Sequence, residues 1–186
     1  MSQDLSLFGK FTKQFTDREI LDVHRLGRNF YQAEARLWEI KTGVTRDIYS
    51  LGLFLGEEKT GFSPSPALID LLSKFPDAQS KKIFVNKKAE WMFLCGRNVL
   101  SDSIAKNPHN LREGLVLVQN ENDENLGYGL FKMEDTLIIK HILDKGRYLR
   151  IDEKGRDKRQ SGQGRNGQGH GSQGQRKGGD KSKYHD

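Results

Sequence analysis

The spacing of hydrophobic residues changes several times in the first 75 residues, and each change predicts a different element. Residues 16–26 begin with the capping-box pattern TDRE and continue with apolar residues up to a glycine, which predicts a helix. Apolar and polar residues nearly alternate over 29–40, and the apolar run IYSLGLFL occupies 48–55, so both stretches are predicted as strands. The stretch SPALIDLLSKF at 65–75 has a serine N-cap, a following proline and helical spacing, which predicts a second helix.

Beyond residue 82 the pattern changes to short strands. The polar stretch PDAQSKK at 76–82 separates the two regions and is the predicted domain boundary. The stretch AEWMFLCG at 89–96 is predicted as a short helix that ends at its glycine. One early helix and five short strands predict a small mixed or open β-barrel, in which the loop NENDEN closes a hairpin. The predicted strands are residues 82–86, 99–104, 114–119, 126–132 and 135–143.

The apolar run of AEWMFLCG is too short to span a membrane and is interpreted as barrel core. Trp91, together with Phe93 or Leu94, is predicted to contribute packing rather than ligand contacts. Cys95 is predicted to be a small core residue and not a nucleophile. Tyr128 and Tyr148 could stack on bases, but packing is the favoured interpretation because a small barrel needs its aromatic residues.

The last 35 residues differ in composition from the rest of the 186-residue chain. Tyr184 is their one apolar residue, and nine of the chain's 20 glycines lie among them. Such a segment cannot bury enough apolar surface to offset its ordering entropy, so residues 152–186 are predicted to form a disordered, basic, glycine-rich tail. It either holds RNA loosely through charge and flexibility or serves only as a solubilising segment.

The net charge of +6 is unevenly distributed along the chain. Residues 151–186 carry nine basic and five acidic residues, a balance of +4, which leaves +2 for residues 1–150. Any basic surface on the folded part must therefore come from local clustering. A single cysteine excludes an intramolecular disulfide and a thiolate zinc site and favours a reducing compartment. We see no apolar leader or membrane span, so we expect a cytoplasmic protein.

Residues 82–150 resemble the PUA domain, a small RNA-binding barrel. The resemblance rests on KIFVNKKAEWMFLCGRNVL, on EGLVLVQNENDENLGYGLFK and on the closing DKGRYLR. It implies a PUA domain at 82–151. Together with the polar connector and the composition of the tail, it gives an α+β protein with an N-terminal domain at 1–77 and a disordered tail at 152–186. In such a domain the helix would plug the barrel, and Gly96 would let the chain turn back into the next strand.

A longer stretch, residues 48–150, resembles the Nip-seven family of PUA-domain ribosome-biogenesis factors, in its archaeal type. The match includes the strand, helix and linker of SLGLFLGEEKTGFSPSPALIDLLSKFPDAQSKK and the pattern AE-x-x-FL-x-G-x-x-VL. This resemblance implies a small N-terminal α/β domain and a non-enzymatic factor that binds uridine-rich or pre-ribosomal RNA during large-subunit maturation. It also implies contact with RNA-processing machinery such as the exosome, a monomeric state, and the nucleolus as location in a eukaryote.

The candidate RNA-binding residues are basic side chains that flank the predicted helix and the end of the barrel. A basic patch is expected at DKGRYLR in related archaeal PUA domains, and barrel closure would bring the two groups together. Each of these residues taken alone could equally be a solvated surface charge. The candidates are Lys87, Lys88, Arg97, Lys145, Arg147, Arg150, Lys154 and Arg156.

Signatures of catalysis are weak, so we expect no catalytic residue, metal or cofactor. The chain has no G-x-S-x-G elbow. Two glutamates directly precede Lys59, and their negative charges would repel phosphate, so this stretch is not a phosphate-binding loop. The histidines lack ligand spacing, and His141 is interpreted as a core or half-buried residue of the last strand. Two alternatives remain open: an accessory protein of RNA modification, and a translation-associated protein that binds tRNA or the small subunit.

Overall fold

The first half of the chain forms a four-stranded antiparallel sheet with three helices. A computed structural model describes residues 7–44, 46, 48–133, 137–147 and 150. The sheet has the order β1-β2-β3-β4. Its strands are β1 (Val23–Leu26), β2 (Asn29–Gln32), β3 (Leu53–Glu58) and β4 (Phe62–Pro64). The helices are α1 (Leu7–Thr12), α2 (Ala35–Thr42) and α3 (Pro66–Ser73).

The helix predicted over 16–26 is wrong, because this stretch leads into a β-hairpin. The strands β1 and β2 pair through Leu26 and Asn29, and Gly27 adopts φ of +61° at the first turn position between them. Thr16 does not cap a helix. Its hydroxyl donates to Asp77 Oδ2 at 2.7 Å and accepts from the backbone N–H of Arg18 at 3.1 Å.

The strand predicted over 29–40 is correct only at its start, since β2 ends at Gln32 and α2 follows. The predicted strand at 48–55 is likewise displaced and begins at Leu53. Helix α3 confirms its prediction: the Ser65 hydroxyl accepts from the backbone N–H of Leu68 at 3.1 Å, and Pro66 occupies the first turn. Its apolar face is fully buried at Leu68, Ile69 and Leu72.

The second half forms a six-stranded mixed sheet in the order β6-β10-β9-β8-β5-β7. Strands β5 and β8 run parallel, and the other pairs are antiparallel. The edge strands β6 and β7 are joined by a single 3-10 turn, Ser101–Ser103, so the two ends of the sheet lie close together and the barrel nearly closes. The elements are β5 (Lys82–Val85), α4 (Lys87–Leu94), β6 (Val99–Leu100), β7 (Ile104–Lys106), β8 (Gly114–Gln119), β9 (Asn125–Met133) and β10 (Leu137–Asp144).

Alternate residues of β8 enter two different apolar clusters, which explains the unbroken run GLVLVQ. Val116 and Val118 face the inside of the barrel, whereas Leu117 faces the N-terminal helices. Leu117, Tyr128 and Leu143 are register partners across β8, β9 and β10, and we call them the outer row. Phe11 and Phe15 pack edge-on against Tyr128 of this row, with centroids 5.6 and 6.1 Å apart.

These features confirm the predicted α+β class. The predicted boundary at 76–82 coincides with a 3-10 helix, Asp77–Lys81, but its role as a domain boundary stays a prediction. The prediction for residues 152–186 lies outside the described residues. None of the helices in the described ranges is long and apolar enough to cross a membrane.

Candidate nucleic-acid interface

Helix α4 is fixed at both ends. At its start, the Asn86 side chain accepts from the backbone N–H of Ala89 at 3.0 Å. At its end, Gly96 adopts φ of +79° and its backbone N–H donates to the Phe93 carbonyl at 2.8 Å, while the backbone N–H of Arg97 donates to the Met92 carbonyl at 3.0 Å. These two bonds form a Schellman motif, so the predicted glycine stop is confirmed.

The two faces of α4 have opposite environments. Ala89 and Phe93 are buried inside the barrel, whereas Trp91 is 71% exposed. The predicted packing role of Trp91 is therefore wrong, and the reason is geometric. Trp91 lies two residues before Phe93, about 200° around the helix, so only one of these rings can face the core. The predicted burial of Cys95 is also wrong, because this side chain is exposed.

Three of the candidate residues lie on or just after α4. Lys87, Lys88 and Arg97 are all exposed. The ammonium of Lys87 lies 3.2 Å from the Glu90 carboxylate on the same helix. Within the part of the chain that the structure describes, no ion pair involves Lys88 or Arg97. Among the described residues, these two side chains carry positive charges that no carboxylate near α4 pairs with.

Arg150 is held in a buried network and does not project freely. Its guanidinium donates to both carboxylate oxygens of Asp144, at 3.0 and 2.6 Å, and also to the Leu94 carbonyl at the end of α4. Asp144 is fully buried, and His141 Nε2 lies 2.6 Å from its Oδ2. The hydrogen bond that the guanidinium donates to Asp144 raises the pKa of Arg150. We call Arg150, Asp144 and His141 the Arg150 latch.

The Arg150 latch joins the two groups of candidate residues. It ties the segment after β10 to the last turn of α4, and Gly96 lies against the guanidinium, where an added Cβ would be 3.4 Å away. Gly146 has no space for a side chain, because a Cβ would meet the Leu94 carbonyl at 2.4 Å. His141 is half-buried, as predicted. The structure thus brings the end of α4 and the residues after β10 to one side of the barrel.

The other candidates after β10 differ in whether their charge is paired. Lys145 pairs with Asp70 of α3 at 2.5 Å, so it links the two halves of the molecule. Arg147 is exposed, and among the described residues it forms no ion pair. Lys154, Arg156 and Tyr148 lie outside the described residues. The RNA-binding role of every candidate stays a prediction.

A groove of about 730 Å³ runs between α3, α4 and the β8–β9 loop, but its charges are compensated. Lys145 and Lys74 both pair with Asp70, and Lys82 pairs with Asp123 at 2.7 Å. Burial raises the pKa of Asp70, but the hydrogen bonds from the two lysines outweigh it and hold that pKa below its usual range. Further carboxylates line the groove, at Glu90 and Glu124. A polyanion would therefore avoid the groove and favour the opposite flank of α4.

The sequence-based interpretation missed Trp91 as an exposed residue. The helical spacing contains the signal, because Ala89 and Phe93 are four residues apart and share a face that excludes Trp91. The packing role predicted for Tyr128 is confirmed, since only 6% of this residue is exposed. Among the described residues, no group of three or more His, Cys, Asp or Glu side chains could hold a metal ion.

Residues 81–153 match the model of the UPF0113 PUA domain. The barrel is therefore a PUA domain, a fold that generally binds RNA rather than catalysing a reaction. The chain is 36% identical over 117 residues to a UPF0113 protein of Aeropyrum pernix, covering 61% of this chain and 65% of that protein. It is 28% identical over 78 residues to a UPF0113 protein of Archaeoglobus fulgidus, covering 37% of this chain and 45% of that protein.

Among solved structures, the chain is similar to a conserved PUA domain protein from Thermoplasma acidophilum. The two share 17% sequence identity, and the match covers 59% of this chain and 89% of that one. The TM-score is 0.38. The aligned parts of the two archaeal UPF0113 proteins span less than two thirds of their own lengths.

Proposed function

We propose that this protein is an RNA-binding ribosome-assembly factor that binds single-stranded, uridine-rich pre-rRNA during large-subunit maturation. The observation that carries the proposal is that Lys88, Arg97 and Arg147 of a PUA domain are exposed and form no ion pair among the described residues. The body of the chain is near neutral, so attraction for RNA has to come from such a local cluster. The ribosomal part of the proposal rests on the resemblance of residues 48–150 to the Nip-seven family.

The proposed partners are pre-rRNA, the pre-ribosomal particle and RNA-processing machinery such as the exosome, with the protein acting as a monomer in the cytoplasm. Arg150 and Lys145 support the interface mainly by fixing its shape, since both are engaged with carboxylates. Lys87 contributes less than Lys88 for the same reason. Lys154 and Arg156 would extend the basic cluster along the chain.

A salt titration of binding to a uridine oligomer tests the RNA-binding part. For a single strand, each lost phosphate contact reduces the steepness of the plot of log affinity against log salt by about 0.7. The triple variant Lys88→Ala, Arg97→Ala, Arg147→Ala is therefore expected to lower it by about 2. Lys59→Ala is the matched control, because Lys59 pairs with Glu57 on the N-terminal sheet and should leave the slope unchanged. An unaltered slope in the triple variant would place the interface elsewhere.

Cosedimentation from native cells tests the ribosomal part. We expect the protein in fractions that hold large-subunit precursors, and crosslinked RNA fragments that derive from pre-rRNA. Recovery with mature small subunits or tRNA would favour the translation-associated alternative. Recovery with an RNA-modification enzyme away from ribosomal particles would favour the accessory role.

A further inference from the structure

The two tryptophans of the chain occupy different environments. The Trp38 ring is stacked on His24 with centroids 4.4 Å apart, and the Lys41 ammonium lies 4.7 Å from its centroid. Trp91 is 71% exposed, and no aromatic ring or cation within the described residues contacts it. Most of the Trp91 indole is therefore open to a partner. A single exposed apolar side chain is ordinary by itself, so its surroundings decide what it does.

The surroundings of Trp91 are rigid and basic. The Asn86 cap, the Schellman motif at Gly96 and the Arg150 latch fix α4 at both ends, so the backbone that carries the indole is held in place before any partner arrives. Lys87 and Lys88 lie four and three residues before Trp91, which places them beside it on the helix surface. Of these two, Lys88 is the one without a carboxylate partner among the described residues.

We propose that Trp91 is a base-stacking residue, which holds one unpaired base of single-stranded RNA on its indole while Lys88 contacts the adjacent phosphate. This inference rests on the proposed RNA-binding function and assigns its contact with the bases. An open aromatic face next to a positive charge is the arrangement by which proteins bind single strands, since every base has a π-face. Bases inside a duplex are stacked and paired, so the partner is a single strand, a loop or a bulge.

The charges around α4 determine on which side of Trp91 the RNA backbone lies. Glu90 and Leu94 line the acidic, internally paired groove on one flank of α4. Lys88 lies on the opposite flank by helical geometry, and Arg97 follows the helix end. A strand stacked on Trp91 therefore keeps its phosphates toward Lys88 and Arg97 and away from the groove.

The experiment compares two oligomers of equal length, a uridine oligomer and an abasic oligomer with the same phosphates. Trp91→Ala is expected to weaken binding of the uridine oligomer by about tenfold to a hundredfold. Trp91→Phe should retain most of the affinity. With the abasic oligomer, Trp91→Ala should bind like the unsubstituted protein, whereas Lys88→Ala should weaken binding of both oligomers. Thermal unfolding of Trp91→Ala, expected to be unchanged, excludes a folding defect.

Fluorescence supplies a direct readout. In a Trp38→Phe background Trp91 is the one remaining tryptophan, and the uridine oligomer, but not the abasic one, should quench its emission. Unaltered affinity of Trp91→Ala without quenching would overturn the stacking role while the proposed RNA binding stands. Equal weakening of binding to both oligomers by Trp91→Ala would also overturn the stacking role. A result in which Trp91 is needed only for capturing a protein would overturn it too. If the unsubstituted protein binds neither oligomer, the proposed function itself fails.

Discussion

The two halves of the molecule are held together by different kinds of core. Around the N-terminal sheet, phenylalanine rings pack on one another, with Phe8 stacked on Phe30 at 5.0 Å and edge-on to Phe62 at 5.3 Å. Inside the barrel the core is mainly aliphatic and contains two buried rings, Phe93 of α4 and Phe131 of β9. Its other members include Ile83, Val85, Val99, Val116, Val118 and Ile139.

The difference follows from the length of the elements. Helix α1 has six residues and β1 and β2 have four each, so none of them can present a long periodic stripe. A few large rings then fill the space, because one aromatic side chain buries as much surface as several small ones. The barrel strands β9 and β10 have nine and eight residues, and alternating aliphatic side chains suffice there.

The largest effect is expected where α4 inserts a ring into the barrel core. Phe93→Ala removes the fully buried side chain that α4 inserts, and should lower the free energy of unfolding by about 3–5 kcal/mol. Its neighbour Trp91→Ala is the control, expected to change stability by less than about 0.5 kcal/mol because the ring is exposed. Chemical denaturation of both variants measures the contrast, and equal losses would contradict the two-faced description of α4.

The next effect tests whether the two cores are coupled through the outer row. Leu117→Ala opens a cavity in the apolar cluster that the barrel shares with the N-terminal helices, and should cost about 3 kcal/mol. Leu100→Ala, at a position that is 53% exposed, is the matched control with little expected effect. Hydrogen exchange should show reduced protection in α1 and α3 as well as in β8. Loss of protection confined to β8 would mean that the two cores are independent.

The third effect concerns the Arg150 latch. Arg150→Met leaves the fully buried Asp144 with His141 as its one remaining ionisable partner in the latch. A fully buried pair broken on one side costs about 3–5 kcal/mol, and we expect about 2 because Arg150 is partly exposed. Arg147→Met should leave stability unchanged but lower the salt slope of RNA binding. The reverse result would make Arg150 the RNA contact and Arg147 the structural residue.

The sequence predicts the barrel half better than the N-terminal half, and the reason lies in local signals. The run AEWMFLCG carries helical spacing and a terminal glycine, and GLVLVQ is bounded by turn residues, so both elements are correctly predicted. In contrast, TDRE has the pattern of a capping box, yet Thr16 bonds to Asp77, which lies 61 residues away. Tertiary contacts of this kind override the local pattern and cannot be read from it.

The residues of the candidate site likewise fall into a group whose state the sequence predicts and a group whose state it does not. Exposure of Lys88 follows from the helical positions of Ala89 and Phe93, which face the core, and the sequence identifies both Lys88 and Arg97 as candidates. The pairing of Arg150 with Asp144 and of Lys145 with Asp70 depends on chain segments that are brought together only by folding. The sequence therefore identifies which residues are basic, and the structure shows which of those charges are already compensated.

The smallest effect at neutral pH, and the most specific, is expected from the hydroxyl of the outer row. Burial raises the pKa of Tyr128 to about 12, although the charge of Arg147 opposes this shift. In the unfolded chain the phenol ionises near its usual pKa of about 10. Below that pH the phenol is neutral in both states, and the stabilisation of the fold by the buried neutral phenol is fully present. This contribution is lost as the pH rises from about 10 to about 12, because only the unfolded state releases the proton there. Tyr128→Phe should match the unsubstituted protein at pH 7 and exceed its stability progressively above pH 10. Parallel stability curves for the two proteins in that range would show that water reaches Tyr128 and that the contact between the two cores is open at this point.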